Sequence, residues 1–335
     1  MSDTVTKPTK AMLSAMFNAE VGDDVFQADP TANALQAKAA AMFNKPAALF
    51  CPSGTMTNQI AINAHTSDLD EVICDKYSHI YQYETGGYAY NSRVGIKLLE
   101  GTNGKITVDQ VEAAINPLYD WLPISKLVVL ENTCNKGGGS YYTLDEIRPI
   151  TALCKEKGLK LHLDGARLFN ALVETGETTQ EVGSCFDSIS ICLSKGLGAP
   201  VGSLLIGEED FIRQARRLRK VMGGGMRQMG YLAAAGIYAL DNHIDRLKID
   251  NDRAKVLGEL LQTLPFVKSV RPVQSNILIF DILDEIDTDQ FLATLEQQGI
   301  LAVALGPKSV RFVTHLDITD NMIEHTLNIL PKLKF

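Results

Sequence analysis

Residues 159–207, LKLHLDGARLFNALVETGETTQEVGSCFDSISICLSKGLGAPVGSLLIG, contain three short apolar runs: LKLHLDG (159–165), DSISICLS (187–194) and GSLLIG (202–207). Between the first two, ARLFNALVETG has the apolar spacing of a short crossover helix and ends on a glycine suited to closing it. A fourth run, KLVVLEN (126–132), precedes them. Buried strands alternating with helices predict an α/β fold: a mostly parallel sheet covered by helices on both faces.

Downstream, MGYLAAAGIYALDNHIDRLKIDNDRAKVLGELLQTL (229–264) reads as two long helices that could run on as one, leading out of this core. SNILIFDI (275–282) and KSVRFVTH (308–315) then read as strands around the helical TDQFLATLEQQG (288–299), and TDNMIEHTLNIL (319–330) closes the chain as a helix. The expected organisation is a major domain over 1–240, including an N-terminal arm, and a small α+β domain over 241–335. With no low-complexity linker between them, a ligand cleft between the two parts is the natural site.

The 335 residues carry a formal charge of −8, which opposes a general polyanion-binding role and makes nucleic acid an unsuited partner. The one basic cluster, RQARRLRK (213–220), follows EED (208–210) and reads as a helix whose charges suit both ends of its dipole. Six scattered cysteines without a CxxC pair suggest buried thiols in a reducing compartment, with neither disulfides nor a metal site expected. MSDTVTKPTK has no apolar signal core and no run is long enough to cross a bilayer, so a soluble, cytoplasmic protein is expected.

Lys195 follows an apolar strand and stands before Gly-Leu-Gly, where partial desolvation would free its amine as a nucleophile able to form a Schiff base; a surface turn is the plainer alternative. Asp164 closes the preceding strand, one strand-helix-strand unit upstream, so parallel neighbours would bring both side chains to one edge. A carboxylate there can keep a pyridinium nitrogen protonated while the lysine holds the aldehyde carbon of the same ring, the two partners that pyridoxal phosphate needs. Equally, Asp164 could cap the next helix or pair with Arg167.

In PSGTMTNQIA, Ser53, Gly54 and Thr55 precede a helix starting near Met56, whose free N–H groups could cradle an anion; an ordinary capped helix would look the same. The spacing matches no nucleotide-binding loop. His79 in YSHIYQYETGG could stack on a flat cofactor and carry protons, or be a satisfied histidine in an aromatic loop. Arg227 in GGGMRQ and Arg311 in VRFVTH could each clamp a phosphate or carboxylate.

Taken together, these residues resemble the bacterial threonine aldolases, members of the fold-type I pyridoxal-phosphate enzymes within the β-eliminating lyase superfamily. The resemblance is carried in family order by SDTVTKP (2–8), VGDDVF and DPTANALQ (21–36), PSGTMTNQIA, ENT, LDGARLFNA, ICLSKGLGAPVGSLLIG, GGGMRQMGYLAAAGIYAL and VRFVTHLD. It implies pyridoxal phosphate bound as a Schiff base to Lys195, its ring nitrogen paired with Asp164 and its face stacked by His79. Gly54 and Thr55 would hold the phosphate, with Arg227 reaching it from a neighbouring subunit of a homodimer or homotetramer. Ser2, Arg167 and Arg311 match positions that bind the substrate carboxylate, Ser2 lying here beside the terminus.

The implied activity is retro-aldol cleavage of L-threonine, L-allo-threonine and related β-hydroxy-α-amino acids to glycine and an aldehyde. Three positions depart from the family pattern: Phe26 where relatives carry tyrosine, Cys134 where many carry histidine, and Trp121 near the place of another histidine. Each change removes a group that could handle the β-hydroxyl, and the bulk of Trp121 could favour aromatic substrates such as phenylserine. Racemisation or β-elimination on the same scaffold, an inactive scaffold protein and a cofactor-free Schiff-base aldolase are the rival readings.

Overall fold

A computed structural model describes all 335 residues. Seven strands form the main sheet: β1 (Ala47–Cys51), β2 (Glu71–Asp75), β3 (Gly95–Leu99), β4 (Ser125–Glu131), β5 (Lys160–Gly165), β6 (Ser188–Cys192) and β7 (Ser203–Gly207). Their spatial order is β1-β7-β6-β5-β4-β2-β3. β3, β2, β4, β5 and β6 run parallel, whereas β7 lies antiparallel to both β6 and β1. All five residues of β2, β6 and β7 are buried, as expected of strands with helices on both faces.

The four runs read as strands fall on β4 to β7. The crossover between β5 and β6 carries two helices, Leu168–Thr175 and Thr179–Cys185, rather than one. Gly176 ends the first at φ 71°, and a Thr178–Glu181 capping box starts the second, so the chain turns without leaving end groups unpaired. β1, β2 and β3 have no counterpart among the sequence-level strands.

Residues 229–264 form two helices, Gly230–Asn242 and Leu247–Leu261, not one. The break falls where His243 turns inward and its Nδ1 meets the Leu197 carbonyl oxygen at 2.7 Å. The second helix packs on the helix Leu168–Thr175, with Asn170 donating to Asn251 at 3.0 Å. A second, antiparallel sheet follows, built from β8 (Val267–Val270), β9 (Ile277–Ile282), β10 (Val303–Ala304) and β11 (Ser309–Val313) in the order β10-β11-β9-β8. Phe280, Phe291 and Phe312 fill its core against the helices Thr288–Gln297 and Asp320–Ile329.

The basic run 213–220 lies in the helix Glu209–Val221, with acidic residues in its first turn and Arg219 and Lys220 in its last. Arg219 also points inward and is fully buried, donating to Asp24 at 2.6 Å and to the Phe50 carbonyl at 2.7 Å. All six cysteines are free and buried, and no helix is long and apolar enough to cross a membrane.

Candidate active site

Four adjacent parallel strands deliver the chemistry to one edge of the main sheet. β2 ends at Asp75, four residues before His79; β4 ends at Glu131; β5 carries Asp164 as its penultimate residue; β6 ends three residues before Lys195. In register, Glu131 stands beside Asp164 and Asp164 beside Ser190. The carboxyl edge of a parallel sheet is where open α/β folds bind their ligands.

Above this edge a cleft of about 410 Å³ opens between the two sheets, its walls including Ser2, His79, Glu131, Asn135, Arg167, Lys195 and Arg311. Five residues singled out from sequence, Ser2, His79, Arg167, Lys195 and Arg311, thus meet in one cavity. Lys195 sits in the turn after β6 and is only partly buried. Asp164 lies beneath, 3% exposed, accepting from Asn58 Nδ2 at 2.8 Å and from the Ala166 amide at 3.2 Å. It neither caps the next helix, which has no side-chain cap, nor pairs with Arg167.

His79 opens a short helix, His79–Gln82, with its Nδ1 2.9 Å from Glu84 Oε1. Ligand atoms of His79, Glu84 and Asp164 all lie within 4.8 Å of one another, so the imidazole reaches the buried carboxylate. Burial alone would lower the His79 pKa; the hydrogen bond to Glu84 and the negative charge of Asp164 outweigh it and raise the pKa above its usual value. Asn58 ties the pair together, donating to Glu84 Oε1 at 2.9 Å as well as to Asp164, and Gln59 donates to Glu84 Oε2 at 2.5 Å.

Arg167 makes a two-bond pair with Asp3, Nε to Oδ2 at 2.6 Å and Nη2 to Oδ1 at 2.7 Å, leaving Nη1 without a protein partner. Arg311, also buried, donates through Nη1 to Asn135 Oδ1 at 2.7 Å, while its Nε is buried with no partner at all. An orphaned guanidinium N–H in a cleft wall asks for an anionic ligand, because an unpaired buried donor is costly. Ser2 starts the 3₁₀ turn Asp3–Val5, its Oγ accepting from the Thr4 amide at 3.4 Å.

Gly54, Thr55 and Arg227 are not among the cleft's walls. The helix after β1 starts at Gly54, two residues earlier than the sequence suggested, and Ser53 caps it through the Met56 amide at 3.2 Å. A Cβ at Gly54 would fall 2.7 Å from Cys192 Sγ, so only glycine lets this helix start pack so close to the end of β6. At the start of this 12-residue helix Thr55 is exposed and Gly54 half-buried, and their amides have no partner within the helix. Arg227 is largely exposed and held by Asp23 at 2.8 Å.

The three departures from the family pattern also stand away from the cleft's walls. Phe26 and Trp121 are 75% and 76% exposed, the indole stacked on Tyr119, so Trp121 gives no basis within its own chain for an aromatic preference. Cys134 is buried, its thiol directed at the Glu131 carbonyl at 3.0 Å and the Gly104 carbonyl at 3.4 Å.

Sequence reasoning missed Asp3, Asn58, Glu84, Glu131 and Asn135. Some signals were present. Asn58 lies one helical turn after Gly54, Glu84 sits in the quoted YETGG, and Glu131 begins ENT at a strand end. What each touches depends on residues tens to hundreds of positions away, as with Asp3 and Arg167.

A lysine and a buried carboxylate on one sheet edge, facing guanidinium groups across a cleft, go with an α/β enzyme of the fold-type I class, whose cofactor is pyridoxal phosphate. Residues 1–284 match the β-eliminating lyase family, and the chain belongs to that family, among its threonine aldolases. It is 41% identical over 339 aligned positions to the probable low-specificity L-threonine aldolase 2 of Arabidopsis thaliana, covering 99% of this chain and 96% of that one. It is 41% identical to the low specificity L-threonine aldolase of Escherichia coli strain K12, covering 95% and 93%. The solved structure of Leishmania major threonine aldolase superimposes with a TM-score of 0.86 at 25% identity, covering 99% of this chain and 98% of that one.

The residues present fit this cofactor. Lys195 offers an amine at the cleft, Asp164 a buried carboxylate on the same sheet edge, and the helix start at Gly54 and Thr55 amides that a phosphate could use.

Proposed function

We propose that the protein cleaves β-hydroxy-α-amino acids, L-threonine and L-allo-threonine first among them, to glycine and an aldehyde. The observation that carries this is the meeting of Lys195, His79, Arg167 and Arg311 in one cleft directly over Asp164. Lys195, Asp164, His79, Gly54, Thr55 and Arg167 would hold pyridoxal phosphate, which supplies the electron sink that makes Cα–Cβ cleavage accessible. Asp164 would set a carboxylate beneath the cleft, oriented by the bond from Asn58. Arg311, with Ser2 and the free Nη1 of Arg167, would clamp the substrate carboxylate and so orient the scissile bond.

The exposed positions of Arg227 and of the Gly54–Thr55 amides support a homodimer or homotetramer with shared sites, Arg227 completing the phosphate site of a neighbouring copy. Exposed Phe17, Phe26 and Val221 offer apolar surface for that contact. In this reading the chain divides near residue 240 into a cofactor-binding part, 1–240, and a smaller part, 241–335. Six buried, unpaired thiols support a reducing, cytoplasmic setting.

Incubating the purified protein with L-threonine, L-allo-threonine, phenylserine and L-alanine tests the activity. Glycine and aldehyde are expected from the hydroxy acids; racemised alanine with no aldehyde would move the assignment to a racemase. Borohydride reduction should attach the cofactor to the peptide carrying Lys195, and K195A should lose activity by roughly 10³-fold or more. Mixing K195A with R227A should regain activity if subunits share sites, and no recovery would count against sharing.

A further inference from the structure

Cleavage of a β-hydroxy amino acid requires an acceptor for the hydroxyl proton. Phe26, Trp121 and Cys134 do not line this chain's cleft: the first two are solvent-exposed, and the Cys134 thiol is buried against two carbonyl oxygens. Among the residues that line the cleft, Glu131 is the only carboxylate. We propose that Glu131 is the catalytic base that takes the β-hydroxyl proton, an assignment that rests on the aldolase reading above.

Its geometry suits the role. Glu131 ends β4 beside Asp164, and backbone amides fix both of its oxygens: His79 N–H donates to Oε2 at 2.8 Å and Asn135 N–H to Oε1 at 2.8 Å. One lone pair on each oxygen remains to accept a proton. The same Asn135 accepts from Arg311, so the base is tied by one residue to the guanidinium proposed to hold the substrate carboxylate. Of the other cleft groups, Lys195 is committed to the cofactor in this reading, Nδ1 of His79 is engaged by Glu84 and the arginines stay protonated, which leaves Nε2 of His79, Tyr83 and Lys136 as the groups that E131Q must be weighed against.

The groups facing Glu131 are Asp164 on β5, His79 after β2, Arg167 after β5, Cys134 in the following turn and Cys74 on β2. Burial, then the charge of Asp164, pushes its pKa up to about 7 against the two amide bonds and His79, where a general base works best at neutral pH. In the step itself the proton passes from the β-oxygen to a Glu131 oxygen and the O–H pair becomes the second bond of the aldehyde carbonyl. The Cα–Cβ pair stays with Cα, which takes one proton from solvent to give glycine, and Glu131 releases its proton to solvent, so protons balance and nothing is oxidised or reduced.

The test uses the holoenzyme with E131Q and E131D, reading aldehyde release from L-allo-threonine alongside exchange of the glycine α-proton in D₂O by NMR. Glycine has no β-hydroxyl, so its exchange uses the same Cα chemistry without the proposed base. E131Q should lose about 10²- to 10⁴-fold in cleavage while still exchanging glycine, and E131D should recover part of the loss. Wild-type kcat/KM should rise with pH above the usual carboxylate range as Glu131 ionises, and E131Q should lack that rise. In the apo protein, a labelled Glu131 carboxyl should titrate well above the usual carboxylate value. Retained cleavage by E131Q, equal loss of cleavage and exchange, or an ordinary carboxyl midpoint each overturns the assignment. If wild-type protein exchanges glycine but cleaves neither threonine isomer, the aldolase reading falls and the assignment falls with it; cleavage surviving in E131Q removes the assignment alone.

Discussion

Asp3 grips Arg167 through two hydrogen bonds of 2.6 and 2.7 Å, with both side chains almost fully buried, and Asn276 donates to the same carboxylate at 3.1 Å. This cluster therefore joins the N-terminal segment, the second residue after β5 and the residue before β9 behind the cleft wall that Arg167 forms. Burial alone would raise the Asp3 pKa, but Arg167, Lys195 and the Asn276 bond together hold it well below the usual carboxylate range.

D3N should leave a buried guanidinium half paired and cost about 3 to 5 kcal/mol in urea unfolding. The sign with pH follows from the lowered folded pKa. This stabilisation is present above the ordinary carboxylate range and is lost as pH falls through and below it, so the stability gap between wild type and D3N should narrow in acid.

Asn58 feeds two buried carboxylates from one amide nitrogen, Glu84 at 2.9 Å and Asp164 at 2.8 Å. N58A should destabilise the fold by about 1 to 3 kcal/mol, because each carboxylate loses a donor that water cannot replace. It should also weaken cofactor retention, measured by absorbance after gel filtration, since Asp164 loses the bond that orients it.

His79 should titrate above the usual histidine value in an NMR experiment, and E84Q should move it down by removing both a charge and a charge-assisted bond. With its folded pKa raised, His79 adds stability that is fully present below the unfolded value and is lost as pH rises through the folded one. E84Q should flatten that loss.

Iodoacetamide should label none of the six cysteines in the native protein and all six in denaturant. Burial pushes the thiols of Cys51, Cys74 and Cys154 up to about 12, and that of Cys134 well above the usual value. Rapid native labelling, followed by mass spectrometry of the modified peptide, would show that a thiol has more access than the fold gives it.

The α/β architecture, β4 to β7 and the placement of Lys195 and Asp164 on one sheet edge were legible because each rests on local pattern: apolar runs of strand length, helix-closing glycines, and the spacing of one strand-helix-strand unit. β1 to β3 were not read, because the apolar pattern of AALFC, EVICD and GIKLL does not by itself separate a strand from a buried helical turn; β6 and β7, equally short, stood out through the glycines and the crossover segment around them. The break at His243 likewise depends on a carbonyl at Leu197, 46 positions away.

By itself the amino-acid sequence determined the kind of chemistry: a lysine and a carboxylate at strand ends, and blocks in family order. Tertiary structure alone decided which polar groups share the cleft, setting Glu131 beside Asp164, Asp3 on Arg167, and Asn58 between two carboxylates. Strand pattern is set by neighbours in the chain, whereas a buried charge is set by whatever the fold brings within about 3 Å of it, and those partners come from anywhere in the sequence.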